Sequence, residues 1–153
     1  MYPSTHLIIG TIVSLVIWIV FPNLIWWQAF IILISSIIID VDHYLWYVLK
    51  KKDWSLKKSY QWHAKKGEML HKLSEKERNE YKHLIMIFHG FEFWLILILL
   101  IFVNKIFLFV LIGIGIHMIL DYIDLYRWKV PFYSKTSQIA VIVKNKNKNK
   151  VLI

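Results

Sequence analysis

The sequence predicts an all-α integral-membrane protein: four transmembrane helices, paired as two hairpins, with a basic cytoplasmic segment between them. Three observations carry that prediction. Of the 153 residues, 58% are hydrophobic and 16% aromatic, and the mean hydropathy is +0.49. A soluble domain of this size has roughly half apolar and a quarter charged residues. Here charged residues make up only 19%, and they are clumped. Four apolar stretches are each close to the roughly 20 residues that a bilayer core of roughly 30 Å requires of a helix. Disorder, collagen, coiled coil and a disulfide-stapled secreted domain are excluded by this composition. The absence of cysteine excludes a thiolate metal site.

The first stretch runs from His6 to Phe21 and the second from Leu24 to Leu49. The first lacks a basic leader and a small-residue cleavage site, so it reads as a helix of the bundle rather than a signal peptide. Pro22-Asn23 predicts a tight turn between them. The third stretch runs from Leu84 to Val103 and the fourth from Ile106 to Leu125, with a turn at Asn104-Lys105. Between the hairpins, Lys50 to Lys82 is polar and lysine-rich. In it, Ser74 with Glu77 three residues on predicts a capping box, opening a helix that runs into the third span. After residues 1–130, which form the four-helix domain, residues 131–153 read as a cytoplasmic tail. Within that tail Gln138–Val143 is a β-like run, and Lys144–Lys150 is a low-complexity alternation of Lys and Asn.

Charge sets the orientation. With four spans, both termini and the central segment share one side of the membrane, and every Lys and Arg except Lys105 lies on that side. The positive-inside rule makes it cytoplasmic, in the cell (inner) membrane. The net charge of +9 is therefore assigned to anionic lipid rather than to nucleic acid, since no aromatic residues interleave the Lys/Asn tail to stack on bases.

The informative residues are the charges inside the apolar stretches. Half of the ten acidic residues lie there: Asp40, Asp42, Glu92, Asp121 and Asp124. Each costs roughly 2.5–3.5 kcal/mol on insertion scales, so intramembrane ionisable groups are functional candidates by default. Spacings of three and four residues put Asp40 with His43, His89 with Glu92, and His117 with Asp121 and Asp124 on single helix faces. Asp40, Glu92 and His117 each lie ten residues from a basic anchor (Lys50, Lys82 and Arg127). That places all three about 15 Å inward. His6, at the cytoplasmic start of the first stretch, falls in the same zone.

Imidazole and carboxylate without thiolate suit zinc first, with manganese or iron as alternatives. The number of donors exceeds the needs of one tetrahedral ion and suits two. Two ions a few Å apart clamp the attacking and leaving oxygens of a phosphoester displacement. The competing structural reading is a buried salt-bridge network that staples the bundle. It leaves unexplained why so many acids converge with no Lys or Arg inside the spans.

Thr5-His6, Asp40-Val41-Asp42-His43, His89 and His117-x-x-x-Asp121 together resemble the YdjM-like membrane-bound metal-dependent hydrolases, which share a His/Asp pattern with zinc-dependent phospholipase C. The resemblance covers residues 5–125. Ile39 stands where the family carries proline, and His89-Gly90-Phe91-Glu92 replaces its usual third element. What the resemblance implies is a metal hydrolase. On this reading His6, Asp40, His43, His89, His117 and Asp121 are the metal ligands. Asp42, Glu92 and Asp124 serve as further ligands or as the general base. Lys50, Lys82 and Arg127 hold the anionic headgroup of a lipid or lipid-linked phosphate. A metal or proton conduit is the alternative, opposed by the almost wholly apolar extracellular halves (Ile12–Val20, Leu95–Val103 and Phe107–Ile112). A non-catalytic adaptor would leave the buried acids unexplained. His63, His71 and His83 read as solvated, and Gly113 and Gly115 as points of close helix approach.

Overall fold

A computed structural model describes residues 3–151, and these are helical, with no strand among the described residues. Helices α1 (Pro3–Val20) and α2 (Trp26–Ile38) form the first hairpin. Its link turns at Pro22-Asn23 and is closed by the Leu24 N–H donating to the Phe21 carbonyl at 2.9 Å. Helix α3 (Val41–Lys51) follows α2 after a break at Ile39–Asp40. The basic segment supplies α4 (Leu56–Lys72) and α5 (Glu75–Glu80). Helices α6 (Phe91–Ile101) and α7 (Ile106–Arg127) make the second hairpin, and α8 (Tyr133–Thr136) and α9 (Gln138–Asn145) complete the chain. At the second turn, the Asn104 side chain accepts the Ile106 N–H at 2.9 Å.

Helix α7 is the hub, packed along α2 and flanked by α1 and α6. Small residues permit the contact. A Cβ on Gly113 would collide with the Ile32 carbonyl oxygen and lie 2.8 Å from the Ser35 Cβ, so the backbones of α2 and α7 touch there. Gly10 brings α1 against Ser36 in the same way. Gly115 faces open space instead, contrary to the expectation from sequence. Ile39, Leu97, Ile114 and Met118 form the apolar core beneath the site. Large apolar side chains such as Leu7, Ile8, Phe30, Ile96 and Ile119 face outward.

Two helical stretches are long and apolar enough to cross a membrane, Trp26–Lys51 with 26 residues and Ile106–Arg127 with 22. Helices α1 and α6 are apolar but shorter, so four full-length spans reduce to two. The third stretch departs furthest from expectation. Helix α5 opens on the Ser74–Glu77 capping box but ends at Glu80 instead of running on. Residues 82–86 are non-helical, a single 3-10 turn spans Ile87–His89, and only Phe91–Ile101 is α-helix. The cause is competition for backbone donors. Asn145 Oδ1 takes the His83 N–H at 2.9 Å, Gln138 Oε1 takes that of Met86 at 2.7 Å, and Asp42 takes that of Phe88 at 3.3 Å. With those amides satisfied from outside, the helix gains nothing by extending backward.

The β-like run Gln138–Val143 is likewise a helix. Ser137 is its N-cap, accepting the Ala140 N–H at 3.2 Å. The Glu92 carboxylate accepts the Gln138 and Ile139 amides at 3.2 and 3.1 Å. An anion and a capping hydroxyl at the first turn outweigh the modest β-propensity of Ile and Val. The segment after Arg127 thus folds back onto the bundle.

Candidate metal centre

Four elements deliver the centre. The break after α2 leaves its last carbonyls without intrahelical partners, and one of them, on Ser36, accepts the His117 Nδ1–H at 2.8 Å. Asp42, in the first turn of α3, accepts the His89 Nδ1–H at 3.0 Å. Each bond fixes a tautomer and turns the opposite nitrogen inward. Nε2 of His89 and Nε2 of His117 are both buried and have no hydrogen-bond partner.

Those two nitrogens converge on two carboxylate oxygens. His89 Nε2 lies 3.6 Å from Asp40 Oδ1 and 3.4 Å from Asp121 Oδ2. His117 Nε2 lies 3.5 and 3.3 Å from the same two atoms. A tetrahedral ion about 2.0–2.1 Å from each ligand sets neighbouring ligands about 3.3 Å apart. The four His–Asp separations are therefore those of neighbouring ligands around one divalent ion. Two more histidines border this shell. His43 Nε2 is 3.5 Å from Asp40 Oδ1, and His6 Nε2 is 3.6 Å from Asp121 Oδ1. The His6 ring stacks on His117 with centroids 3.9 Å apart. His6–Asp40–His117, Asp40–His43–His89 and His89–His117–Asp121 are each close enough to share an ion. His6, His89, His117 and Asp121 are essentially inaccessible, whereas Asp40 and His43 are half-buried.

The remaining sequence candidates separate. Asp42 sits behind His89 as its orienting carboxylate. Glu92 is drawn away to the start of α9, also accepting the Ser137 hydroxyl at 2.7 Å, and it belongs to none of the three triads. Asp124, Lys82 and Arg127 line a cavity of about 870 Å³ that has Asp40 and His43 on its wall. Lys50 does not line it and instead lies over the Trp46 ring at 5.9 Å. Leu56, Leu70, Leu84, Leu125 and Trp128 give the cavity apolar walls, while Lys66 and Arg78 add cations. Burial pushes the Lys66 ammonium down to about 8, with Lys50 adding repulsion.

The histidines read as solvated are engaged. His63 donates from Nε2 to the His43 carbonyl at 2.9 Å, and its ring meets the His43 ring edge-on at 5.1 Å. His71 stacks on Trp128 with centroids 3.6 Å apart. His83 packs edge-on to Tyr133, and burial, helped by Lys148, holds it down to about 4.

Lys135 is the member of this cluster that sequence reasoning missed. It lies outside the apolar stretches, yet α8 carries its ammonium onto Asp121 Oδ2, the oxygen that faces both histidines. Burial opposes its charge, but Asp121 and Asp40 outweigh that and raise the ammonium above its ordinary value. The only signal in the sequence is Ser137, a capping residue just before an apolar run, which fixes where α9 begins and hence where Lys135 falls. Family models, curated proteins and solved structures were all compared with the chain, and none matches.

Proposed function

We propose that this chain is an integral-membrane, metal-dependent hydrolase that cleaves a phosphoester of a lipid or lipid-linked substrate at the cytoplasmic leaflet. The observation that supports it best is the convergence of Asp40 Oδ1, Asp121 Oδ2, His89 Nε2 and His117 Nε2 beside an apolar-walled cavity with a cationic lining. Each buried Nε2 has two carboxylate oxygens at 3.3 to 3.6 Å but no hydrogen bond of normal length and angle, which is the spacing of ligands around an ion rather than of a staple's direct pairs. The resemblance of the Asp-x-Asp-His and His-x-x-x-Asp elements to the YdjM-like hydrolases points the same way.

In this reading Asp40, Asp121, His89 and His117 hold zinc, with manganese or iron as alternatives. His43 and His6 complete or border the shell, and Asp42 and the Ser36 carbonyl orient its imidazoles. A bound divalent ion would polarise a phosphoryl oxygen and acidify a water. Lys82, Arg127 and Arg78 draw the phosphate toward the cavity, and the apolar wall takes the first carbons of an acyl or prenyl chain. Asp124, on the cavity wall rather than in the shell, is assigned in this reading to receive the proton of the attacking water. The chain is read as multi-pass in the cell membrane, with both termini and the basic segment cytoplasmic.

The test is phosphate or phospho-headgroup release from a panel of phospholipids and polyprenyl phosphates, by zinc-loaded protein in detergent. Activity that requires metal and falls at least 100-fold in both Asp121→Asn and His89→Ala is the expected result. A metal-loaded protein inert across the panel returns the reading to the conduit alternative.

A further inference from the structure

We infer that Lys135 is the second cation of this centre: the site takes one divalent ion, and the lysine ammonium stands in for the second metal of a two-metal hydrolase. The inference rests on the metal-centre reading above and goes beyond it, because the donor count alone suggests two ions.

Charge decides between one ion and two. The centre encloses three carboxylates, Asp40, Asp42 and Asp121, giving three negative charges when ionised. Lys135 on Asp121 cancels one of them. With neutral imidazoles as ligands, two negative charges remain, which one divalent ion balances. Two divalent ions beside Lys135 would leave two positive charges against His89, His117 and Asp121, which are inaccessible, and uncompensated charge is strongly disfavoured there. Geometry agrees with the smaller number. Asp40 Oδ1 and Asp121 Oδ2 each face the same two nitrogens, His89 Nε2 and His117 Nε2, at 3.3 to 3.6 Å, as the ligands of one ion do. Two ions in a dinuclear site sit about 3.5–4 Å apart and need a carboxylate to bridge them. Asp121, the carboxylate such a bridge would use, already has a cation beside it in Lys135.

The ammonium is held in place rather than resting there by chance. Two residues after Lys135, the Ser137 hydroxyl donates to Glu92 at 2.7 Å, and the following two amides bond the same carboxylate. Lys135 also lines the cavity together with Asp40 and His43. A phosphate seated against the metal would therefore meet a second positive group from the protein itself, worth roughly one charge-assisted hydrogen bond.

The experiment strips the full-length protein in detergent with a chelator, titrates it with Zn²⁺ and counts bound metal by mass spectrometry. Wild type is expected to take up one equivalent. Lys135→Met frees Asp121 and removes a positive charge, so it should take a second equivalent at least tenfold more tightly than wild type. Lys135→Gln, which keeps a donor for Asp121 without the charge, should do the same and serves if the methionine variant does not fold. Lys135→Arg should remain at one equivalent. Two tightly held equivalents in wild type, or identical stoichiometry and affinity across all four proteins, would overturn the inference while leaving the metal centre standing. No zinc bound by any of them would remove the metal centre, and the inference with it.

Discussion

Gly113 lets α7 touch the backbone of α2 at Ile32, one turn before His117 reaches the Ser36 carbonyl at 2.8 Å. The contact and the ligand orientation are thus consecutive turns of one interface. Moving the helices apart by a methyl group loosens the bond that aims His117 Nε2 at the centre.

Gly113→Ala should therefore lower stability by about 1–3 kcal/mol through overpacking and weaken zinc binding with it. Gly115→Ala meets nothing within 4 Å and should be neutral, or stabilising by up to about 1 kcal/mol through helix propensity. Thermal unfolding in detergent, with and without Zn²⁺, separates the two variants. Equal losses in both would mean that Gly113 has no special packing role.

Metal addition should stabilise the folded chain by mass action, about 2.7 kcal/mol at a hundredfold excess over the dissociation constant. Asp42→Asn leaves the four convergent atoms in place but changes the partner of His89 Nδ1. Losing such an orienting carboxylate costs roughly 10–100-fold in metal affinity, whereas His89→Ala should abolish tight binding. A calorimetric titration reads both. An unchanged affinity in Asp42→Asn would place that carboxylate outside the centre.

Glu92 accepts one hydroxyl and two amides at the start of α9. Glu92→Gln should cost about 1–2 kcal/mol of local stability, seen as faster hydrogen exchange at residues 138–141 with zinc affinity kept within a few-fold. A collapse of zinc affinity without faster exchange would show that Glu92 serves the metal instead.

Lys66 gives a pH dependence whose sign can be worked out. Its folded value of about 8 lies below its ordinary 10.5, so between those limits the unfolded chain binds more protons. Stability must then rise as pH increases from about 8 to 10.5. Lys135 is shifted the opposite way and acts only above that window, where its contribution is lost as pH rises through its raised value. Denaturant midpoints across pH 7.5–10.5 should climb in wild type and flatten in Lys66→Met. A parallel climb in the variant would assign the slope elsewhere.

The chain has no cysteine, so single-cysteine labelling reports topology without background. Lys57→Cys, on the exposed face of α4, should resist impermeant reagents applied to intact cells and react after lysis. Labelling from outside would reverse the orientation and move the substrate to the other leaflet.

The convergence of His6, Asp40, His43, His89, His117 and Asp121 was legible because helix spacing and depth from a basic anchor are both written in residue numbers. Glu92 was misplaced for an equally physical reason. The rule that residues three apart share a face assumes one unbroken helix, but Gly90 is extended (φ −74, ψ 147) between the 3-10 turn of His89 and α6. That break depends on Asp42, Gln138 and Asn145 capturing backbone amides from 46 to 62 residues away, which local pattern cannot reveal. Lys135 was hidden by the same distance in sequence, since only the docked α9 says where α8 points.

The hydrogen bonds that shape the centre span 81 residues for His117 to Ser36, 47 for His89 to Asp42 and 45 for Ser137 to Glu92. Each helix can form within about a microsecond once its residues are together, but contacts this far apart must wait for loop closure and set the slow phase. During synthesis, Glu92 and Asp121 exist without their caps until residues 135–139 leave the ribosome. A released chain truncated after Val130 should therefore be helical and membrane-associated, yet open to proteases around Leu84–His89, because Gln138 and Asn145 are not there to hold the Met86 and His83 amides.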